Sequence, residues 1–230
     1  MRSALFTVFA LGMAASSCGK GLNVGATPVL RNLLVDIQPC ASNPCSGTSS
    51  AGAFVFSTNG SAPIVFGATV DASSGGQKVI PNIELRVSSS AEVWSPVDGV
   101  IASIEKNSSQ DDYAVTIAHS ALSEFQIEID HLTELSVKEG DRVTAGSVLG
   151  KPGIWYPTQG IGRVELQMKR GSDYVCPMEY LAPDVSADLR ERMRGLLEDW
   201  EQVKGNTTLY DESRMVIPGC LSSVIQEDQT

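Results

Sequence analysis

The sequence predicts a mainly β domain, an antiparallel sandwich or barrel, followed by one amphipathic helix near the carboxy end. Between residue 54 and about residue 181, short stretches of alternating apolar and polar residues are separated by glycine-containing turns. After Pro183, the apolar residues recur at helical spacing instead. A period of two is typical of half-buried strands, and a period near 3.6 is typical of a surface helix.

Three segments show the strand pattern most clearly. Their alternating apolar positions are Tyr113, Val115 and Ile117; Phe125, Ile127 and Ile129; and Val164, Leu166 and Met168. Polar or small residues stand between them, so each strand is expected to turn one face toward a core.

The helix is predicted from one apolar face formed by Leu189, Met193, Leu196, Leu197, Trp200 and Val203, and Gly205 provides a stop. Most amphipathic helices bury such a stripe in their own domain, and we expect that here. Docking of a partner on the stripe is the alternative. Residues 206–230 are expected to form a loop.

The charge balance excludes one class of partner. The chain of 230 residues carries 17 Lys and Arg against 27 Asp and Glu, a formal net charge of −10. An acidic chain lacks the basic surface that binds nucleic acid, so no nucleic-acid partner is expected. No apolar run reaches the roughly 18–20 residues that span a bilayer.

The amino terminus has the pattern of an export signal. Arg2 precedes a short apolar stretch, Ala4 to Ala15, and small residues lead to Cys18. This arrangement resembles a bacterial lipobox, in which the cysteine becomes the lipidated first residue. It predicts a signal peptide over residues 1–17, lipidation of Cys18 and anchoring to a membrane of the bacterial cell envelope. Secretion without a lipid is the alternative.

The remaining cysteines favour disulfides. If Cys18 is lipidated, four are left, and an exported chain is exposed to oxidising conditions. Cys40 and Cys45 are close in sequence, so they are expected to pair, which leaves Cys176 with Cys220. Four cysteines allow three connectivities, and this one is a preference. A cysteine metal site would need a second close pair.

The chain therefore divides into four predicted parts. A signal peptide (1–17) is followed by a tether or lead-in (18–52), rich in Ser, Gly, Asn and Pro. The β domain spans 53–182. The helix and a disulfide-pinned tail occupy 183–230.

Five segments of the β domain, in order, resemble the lysostaphin-like (LytM-type) zinc metallopeptidases, metallopeptidase family 23. They are Val93–Ile101 (VWSPVDGVI), Phe125–Leu135 (FQIEIDHLTEL), Val137–Gly153 (VKEGDRVTAGSVLGKPG), Gly162–Met168 (GRVELQM) and Cys176–Leu181 (CPMEYL). The resemblance covers roughly residues 62–182. It implies a barrel-sandwich hybrid, the duplicated hybrid motif, with a LytM-like antiparallel β domain.

Biotinyl and lipoyl carriers share that fold. They present a lysine in a tight hairpin between their two half-motifs. Here the only lysine between Ile101 and Val137 is Lys106, in a Glu-Lys-Asn-Ser context, and Lys169 follows the second half-motif. The carrier interpretation is therefore disfavoured.

The family's chemistry depends on a zinc ion. These enzymes hydrolyse peptide bonds, typically in peptidoglycan cross-bridges. The resemblance implies a His-x-x-x-Asp motif and the second histidine of His-x-His as zinc ligands, with a water in the fourth position. The first histidine of His-x-His and another histidine on a neighbouring strand assist catalysis.

This sequence departs from that pattern. Ile80 and Glu84 stand at the first two ligand positions, and Glu165 stands at the third. Arg163 takes the place of one catalytic histidine, whereas His131 keeps the place of the other. Isoleucine has no donor atom, so no residue of this sequence is assigned as a metal ligand or as a catalytic residue. No cofactor is expected, and zinc only if the site is rearranged.

In place of the metal we expect an ion-pair cluster of Glu84, Arg163 and Glu165. The cleft is expected to comprise Glu84, His131, Trp155, Tyr156, Arg163 and Glu165. Period two would put the His131 side chain on the face of Ile127 and Ile129.

These residues predict a noncatalytic, peptidoglycan- or partner-binding regulatory module in the bacterial envelope. Its partner would be a cell-wall peptide or an envelope protein such as a cell-wall hydrolase. The alternative is an active zinc metallo-endopeptidase with a rearranged site.

Overall fold

The alternating segments of the sequence become the central strands of a ten-stranded antiparallel sheet. The computed structural model describes residues 25–72, 75–227 and 230. The strands of the described residues are β1 (Ser50–Ala51), β2 (Phe54–Val55), β3 (Thr69–Asp71), β4 (Gln77–Val79), β5 (Asn82–Ser88), β6 (Val93–Trp94), β7 (Gly99–Lys106), β8 (Tyr113–Ala118), β9 (Phe125–Thr133), β10 (Arg142–Val143), β11 (Val148–Tyr156), β12 (Ile161–Arg170), β13 (Asp173–Val175) and β14 (Val224–Ile225). Strands β5 to β14 form the ten-stranded sheet, whereas β1 pairs with β2 and β3 pairs with β4 in two separate two-stranded sheets. The predicted mainly β class is confirmed.

Strand β12 lies at the centre of this sheet, where it pairs with β5, β9, β11 and β13. The strand order is β10-β7-β8-β9-β11-β12-β13-β14, and β5 also pairs with β12 while β6 pairs with β11. Strand β9 pairs with β12 along its first part and with β11 near its end. Chemistry carried on β5, β9 and β12 is therefore brought together on one surface.

The two faces of β12 differ as the alternation predicts. Val164, Leu166 and Met168 are buried in the hydrophobic core. Arg163 and Glu165, between them in sequence, project to the opposite face, where they meet side chains from β5 and β9.

The predicted helix is confirmed as α1 (Pro183–Lys204). Pro183 occupies its first turn, where a missing N–H costs nothing, and Gly205 ends it with φ +59°. Trp200 is fully buried, with its ring 5.0 Å from that of Phe56 in an edge-on arrangement. The apolar stripe thus packs on the chain's own core. No helix among the described residues is long and apolar enough to cross a membrane.

The lead-in and the tail also pack on the β domain. Leu30, Leu33 and Leu34 are buried, and the Leu30 N–H donates to the Tyr180 carbonyl. Both expected disulfides are present, Cys40–Cys45 and Cys176–Cys220. The tail differs from the expected loop, because β14 adds a short strand beside β13 and Glu212–Arg214 forms a 3₁₀ turn.

The remaining helical segments are 3₁₀ turns at Pro157–Gln159, Pro177–Tyr180 and Glu212–Arg214. The export signal, Cys18 and the first residues of the predicted lead-in lie outside the described residues. Signal peptide, lipidation and domain boundaries remain predictions.

Candidate functional site

Three carboxylates line up across the polar face of the sheet. In the strand register, Glu165 on β12 lies opposite Glu84 on β5 and, on its other side, opposite Asp130 on β9. Like charges placed directly across a sheet repel each other, so this row requires cations or donors close by.

Glu84 receives its cation from Arg86, two residues along the same strand. The two side chains form an ion pair, and both residues are only 5% exposed. Glu165 Oε2 accepts a hydrogen bond from Asn82 Nδ2 at 2.5 Å. Arg163 lies opposite Arg86 in the register, and its Nε is 3.8 Å from Glu165 Oε1.

The expected ion-pair cluster is therefore partly wrong. Arg163 lies beside Glu165, but the partner of Glu84 is Arg86, which was not predicted from the sequence. The signal was available, since Arg86 stands two residues after Glu84 and period two puts both on one face of β5.

His131 marks the point where β9 changes partner. Asp130 still pairs with Glu165 of β12, whereas Leu132 pairs with Pro152 of β11. Between them His131 has φ +60°, a left-handed conformation that is unfavourable for a non-glycine residue. Strained backbone of this kind often collects at functional sites.

The left-handed backbone also redirects the His131 ring. Period two would place it on the core side with Ile127 and Ile129, and that expectation is wrong. The ring instead enters the polar cluster, with Nδ1 2.8 Å from Asp112 Oδ2 and Nε2 3.5 Å from Glu165 Oε1. Asp130 Oδ2 lies 3.7 Å from Nε2.

Asp112 and Asn107 complete the cluster, and neither was predicted from the sequence. Asn107 Nδ2 donates to Asp112 Oδ1 at 2.5 Å and to Asp130 Oδ1 at 2.8 Å. Gly153 is required beside them, because a Cβ there would stand 2.6 Å from Asp112 Oδ2. Asp112 also borders a pocket of about 380 Å³, next to Ile154, which is 63% exposed.

The electrostatics favour a charged imidazolium. Burial acts to lower the pKa of His131, but its hydrogen bonds to Glu165 and Asp112 outweigh burial and raise that pKa above its usual value. A protonated ring donates from Nδ1 to Asp112. The 3.2 Å approach of Arg163 Nη2 to the same Nδ1 is then a contact between two donors rather than a hydrogen bond.

The pKa values of Glu165, Arg86 and Arg163 are shifted by burial and by one another's charges. Burial acts to raise the pKa of Glu165, but His131, Arg163 and Arg86 together lower it. Burial, reinforced by the positive charge of Arg163, lowers the pKa of Arg86 to about 10. Both guanidiniums stay charged at neutral pH.

Trp155 covers this charged cluster. The guanidinium carbons of Arg86 and Arg163 each lie 4.2 Å from the centre of its ring, within the range of cation–π attraction. Tyr156, the next residue, hydrogen-bonds Ser61 through its hydroxyl at 3.0 Å. Of the six expected cleft residues, the structure thus brings His131, Trp155, Arg163 and Glu165 into one cluster, to which Glu84 is linked through Arg86. Tyr156 lies at the edge of this cluster, with its ring 5.8 Å from that of Trp155.

Residues 79–175 match the model of peptidase family M23. This domain belongs to peptidase family M23. No curated protein sequence matches the chain.

Solved structures give distant similarities to the M23 domain. Lysostaphin aligns with a TM-score of 0.36 and 18% identity over 45% of this chain and 42% of its own, so this chain matches less than half of lysostaphin. The SpoIIQ–SpoIIIAH pore-forming complex gives 0.44 and 16% over 71% and 97%. A zinc-containing peptidase from Vibrio cholerae gives 0.41 and 15% over 62% and 37%.

The M23 ligand positions hold residues that differ from the family's zinc ligands. Ile80 is buried and has no donor atom. The carboxylates of Glu84 and Glu165 already interact with Arg86 and Asn82. A zinc hydrolase needs three protein ligands and an open fourth position, and these residues offer two carboxylates beside two fixed positive charges.

Proposed function

We propose that this chain is an exported, lipid-anchored protein of the bacterial envelope whose M23 domain is noncatalytic. It would bind a peptidoglycan peptide or an envelope protein partner, such as a cell-wall hydrolase that it regulates. The observation that carries the proposal is the pair of guanidiniums, Arg86 and Arg163, at the position where the family holds its metal.

The positive charges of the site disfavour hydrolysis. In this family the metal activates a water by lowering its pKa. A divalent cation placed beside Glu84 and Glu165 would face the positive charges of Arg86 and Arg163 at close range. Guanidinium groups cannot shed their charge to make room, because they stay protonated at any physiological pH. No other residue at these positions replaces the lost activation.

Binding is supported by the surface next to the cluster. The pocket bordered by Asp112 and the exposed Ile154 combines an apolar contact with polar groups held in place. Pockets of this mixed character are typical binding sites.

The proposal is tested with purified peptidoglycan sacculi and the purified protein, with and without added zinc. We measure the protein that sediments with the sacculi and the soluble fragments that are released. We expect association with sacculi, or capture of an envelope protein from a membrane extract, and no release of fragments. Zinc-dependent release that disappears in Glu165→Ala would contradict the proposal.

One observation favours the alternative, an active endopeptidase with a rearranged site. Asp112, Asp130 and His131 each offer an atom within 4.8 Å of the others, a grouping that could hold a metal ion. Against it, Asp112 already accepts from His131, and Asn107 bridges the two aspartates. If the alternative holds, His131→Ala must abolish both zinc uptake and cleavage.

A further inference from the structure

Four buried polar atoms without a hydrogen-bond partner surround the indole of Trp155. They are Arg86 Nε and Nη1, Arg163 Nε and the Trp155 Nε1 itself. Buried polar groups are nearly always paired, since an unpaired one loses its hydration without compensation. Arg163 Nε lies 3.8 Å from Glu165, beyond hydrogen-bond distance. A concentration of unpaired donors at one place therefore calls for an explanation.

All four atoms are donors, so the missing partner must be an acceptor. The carboxylates nearby are already engaged, because Glu84 pairs with Arg86 through Nη2 and Glu165 accepts from Asn82. The buried Asn82 Oδ1 also has no partner, but it is a neutral acceptor and cannot offset the two positive charges. Asp112 and Asp130 accept from Asn107. The surrounding protein leaves no carboxylate for the remaining N–H groups.

The charges favour an anionic acceptor. Arg86 and Arg163 lie directly opposite each other on neighbouring strands, and the positive charge of Arg163 helps to depress the pKa of Arg86. A negative charge between them would relieve this repulsion. A carboxylate suits arginine best among groups that peptides carry, because its two oxygens accept two N–H bonds in one plane.

Trp155 lies at an irregular point of the strand pairing, where its ring packs edge-on against Tyr156. It lies near the end of β11, where the pairing with β12 slips between Ile154 and Tyr156. Its neighbour Ile154 is exposed, and the Trp155 ring itself is only partly buried. A rotation of the indole away from the sheet would uncover both guanidiniums.

From these observations we propose that Arg86 and Arg163 form a binding site for one carboxylate group of a peptide ligand, and that Trp155 is its cover. The inference rests on the proposed noncatalytic function and names the group that the site recognises. The carboxylate would bind to the two guanidinium groups at the surface that the Trp155 indole ring now covers.

The test uses short acetylated peptides and the purified protein. N-acetyl-alanyl-alanine presents a C-terminal carboxylate, and the α-amide of N-acetylglutamate presents a side-chain carboxylate. The matching neutral compounds, in which these carboxylates are amidated, serve as controls. Affinity is measured by titration calorimetry, and movement of the cover by tryptophan fluorescence. We expect at least one carboxylate to bind saturably, its neutral amide not to bind, and the fluorescence change to vanish in Trp155→Phe.

Variants identify the groups responsible. Arg163→Gln should weaken binding about tenfold or more, because it removes a charge-assisted hydrogen bond. Arg170→Gln, at the exposed end of the same strand, is the matched control and should leave affinity unchanged. Trp155→Ala should tighten binding, since the ligand no longer displaces the ring. Near-ultraviolet circular dichroism confirms that each variant is folded.

Three results would overturn the inference. They are equal binding of carboxylate and amide, unchanged affinity in folded Arg163→Gln, and no saturable binding by either the wild type or Trp155→Ala. None of them bears on zinc content or peptidoglycan cleavage, so failure of the carboxylate site and failure of the noncatalytic function are separate outcomes.

Discussion

The two faces of β12 are buried by different interactions, apolar packing on one face and a network of charged groups on the other. On one face, Val164 and Leu166 join an apolar core that α1 extends through Trp200. On the other, Arg163 and Glu165 are part of a network in which each buried charge depends on a neighbour. Apolar packing depends on volume and is insensitive to pH, whereas the network depends on the balance of charges and on protonation.

The largest effect should come from the apolar face. Trp200→Ala removes a fully buried ring that packs on Phe56, and we expect a loss of about 3–5 kcal/mol in the free energy of unfolding. Urea denaturation measures it. The loss should be the same at pH 6 and pH 8.5, since no titrating group is involved.

Trp200→Phe is the control for that experiment. It keeps an aromatic ring against Phe56 and removes the unpaired Nε1, so its cost should be clearly smaller. A cost for Trp200→Ala below about 1 kcal/mol would show that α1 is not anchored by this ring.

On the polar face, Arg86→Met should cost about 3 kcal/mol by leaving Glu84 buried without a cation. This is the low end of the range for such pairs, because the orphaned carboxyl can take up a proton. The double variant Glu84→Met/Arg86→Met should recover most of the loss, as measured by urea denaturation. Additive losses in the double variant would mean that the two side chains act independently.

The network should also give stability a pH dependence that the core lacks. The folded pKa of His131 is raised above 6.5, so its stabilising contribution is fully present below pH 6.5 and is lost as pH rises through the folded pKa. Glu165 acts in the opposite sense, because its lowered pKa makes its contribution fade as pH falls below 4.5. The stability difference between wild type and His131→Gln should therefore shrink with rising pH, and a constant difference would refute a charged His131.

The smallest effect tests whether depth, rather than charge itself, matters. Arg31 and Asp184 form an ion pair at 3.0 Å, but both side chains are more than half exposed. Arg31→Ala should change the free energy of unfolding by roughly 0–1 kcal/mol. Thermal and urea denaturation measure this change. A loss of about 3 kcal/mol would mean that the exposed Arg31–Asp184 pair stabilises the fold as much as the buried Glu84–Arg86 pair, and depth would then not matter.

Much of the fold could be predicted because it follows from periodicity. The strands around Ile117, Ile129 and Leu166 are specified by alternation, and α1 by its apolar stripe and Gly205. The disulfides follow from cysteine counting and from an export signal that lies outside the described residues. The strand added by the tail could not be predicted, since a two-residue strand carries no period.

The site was harder to predict because it depends on contacts across strands. Sequence similarity located Glu84, Arg163, Glu165 and His131. Arg86 could be found only from the periodicity of β5, which puts it on the face of Glu84. Asn107 and Asp112 reach the cluster from the connection between β7 and β8, and no sequence pattern predicts that contact. The direction of the His131 ring depends on a single backbone angle, φ +60°, which alternation cannot predict. Strand alternation predicts which side chains share a face of the sheet, whereas an irregular residue such as His131 determines which groups that face contacts.

Zinc content is the measurement that tests the central claim most directly. The purified protein is incubated with zinc, desalted and analysed for metal, alongside the variant Ile80→His/Glu84→Asp/Arg163→His/Glu165→His, which restores the family's residues. We predict no stoichiometric zinc in the wild type, no loss of thermal stability in chelator, and zinc uptake by the restored variant. One zinc per wild-type chain, removed by Glu84→Ala or Glu165→Ala, would contradict the account.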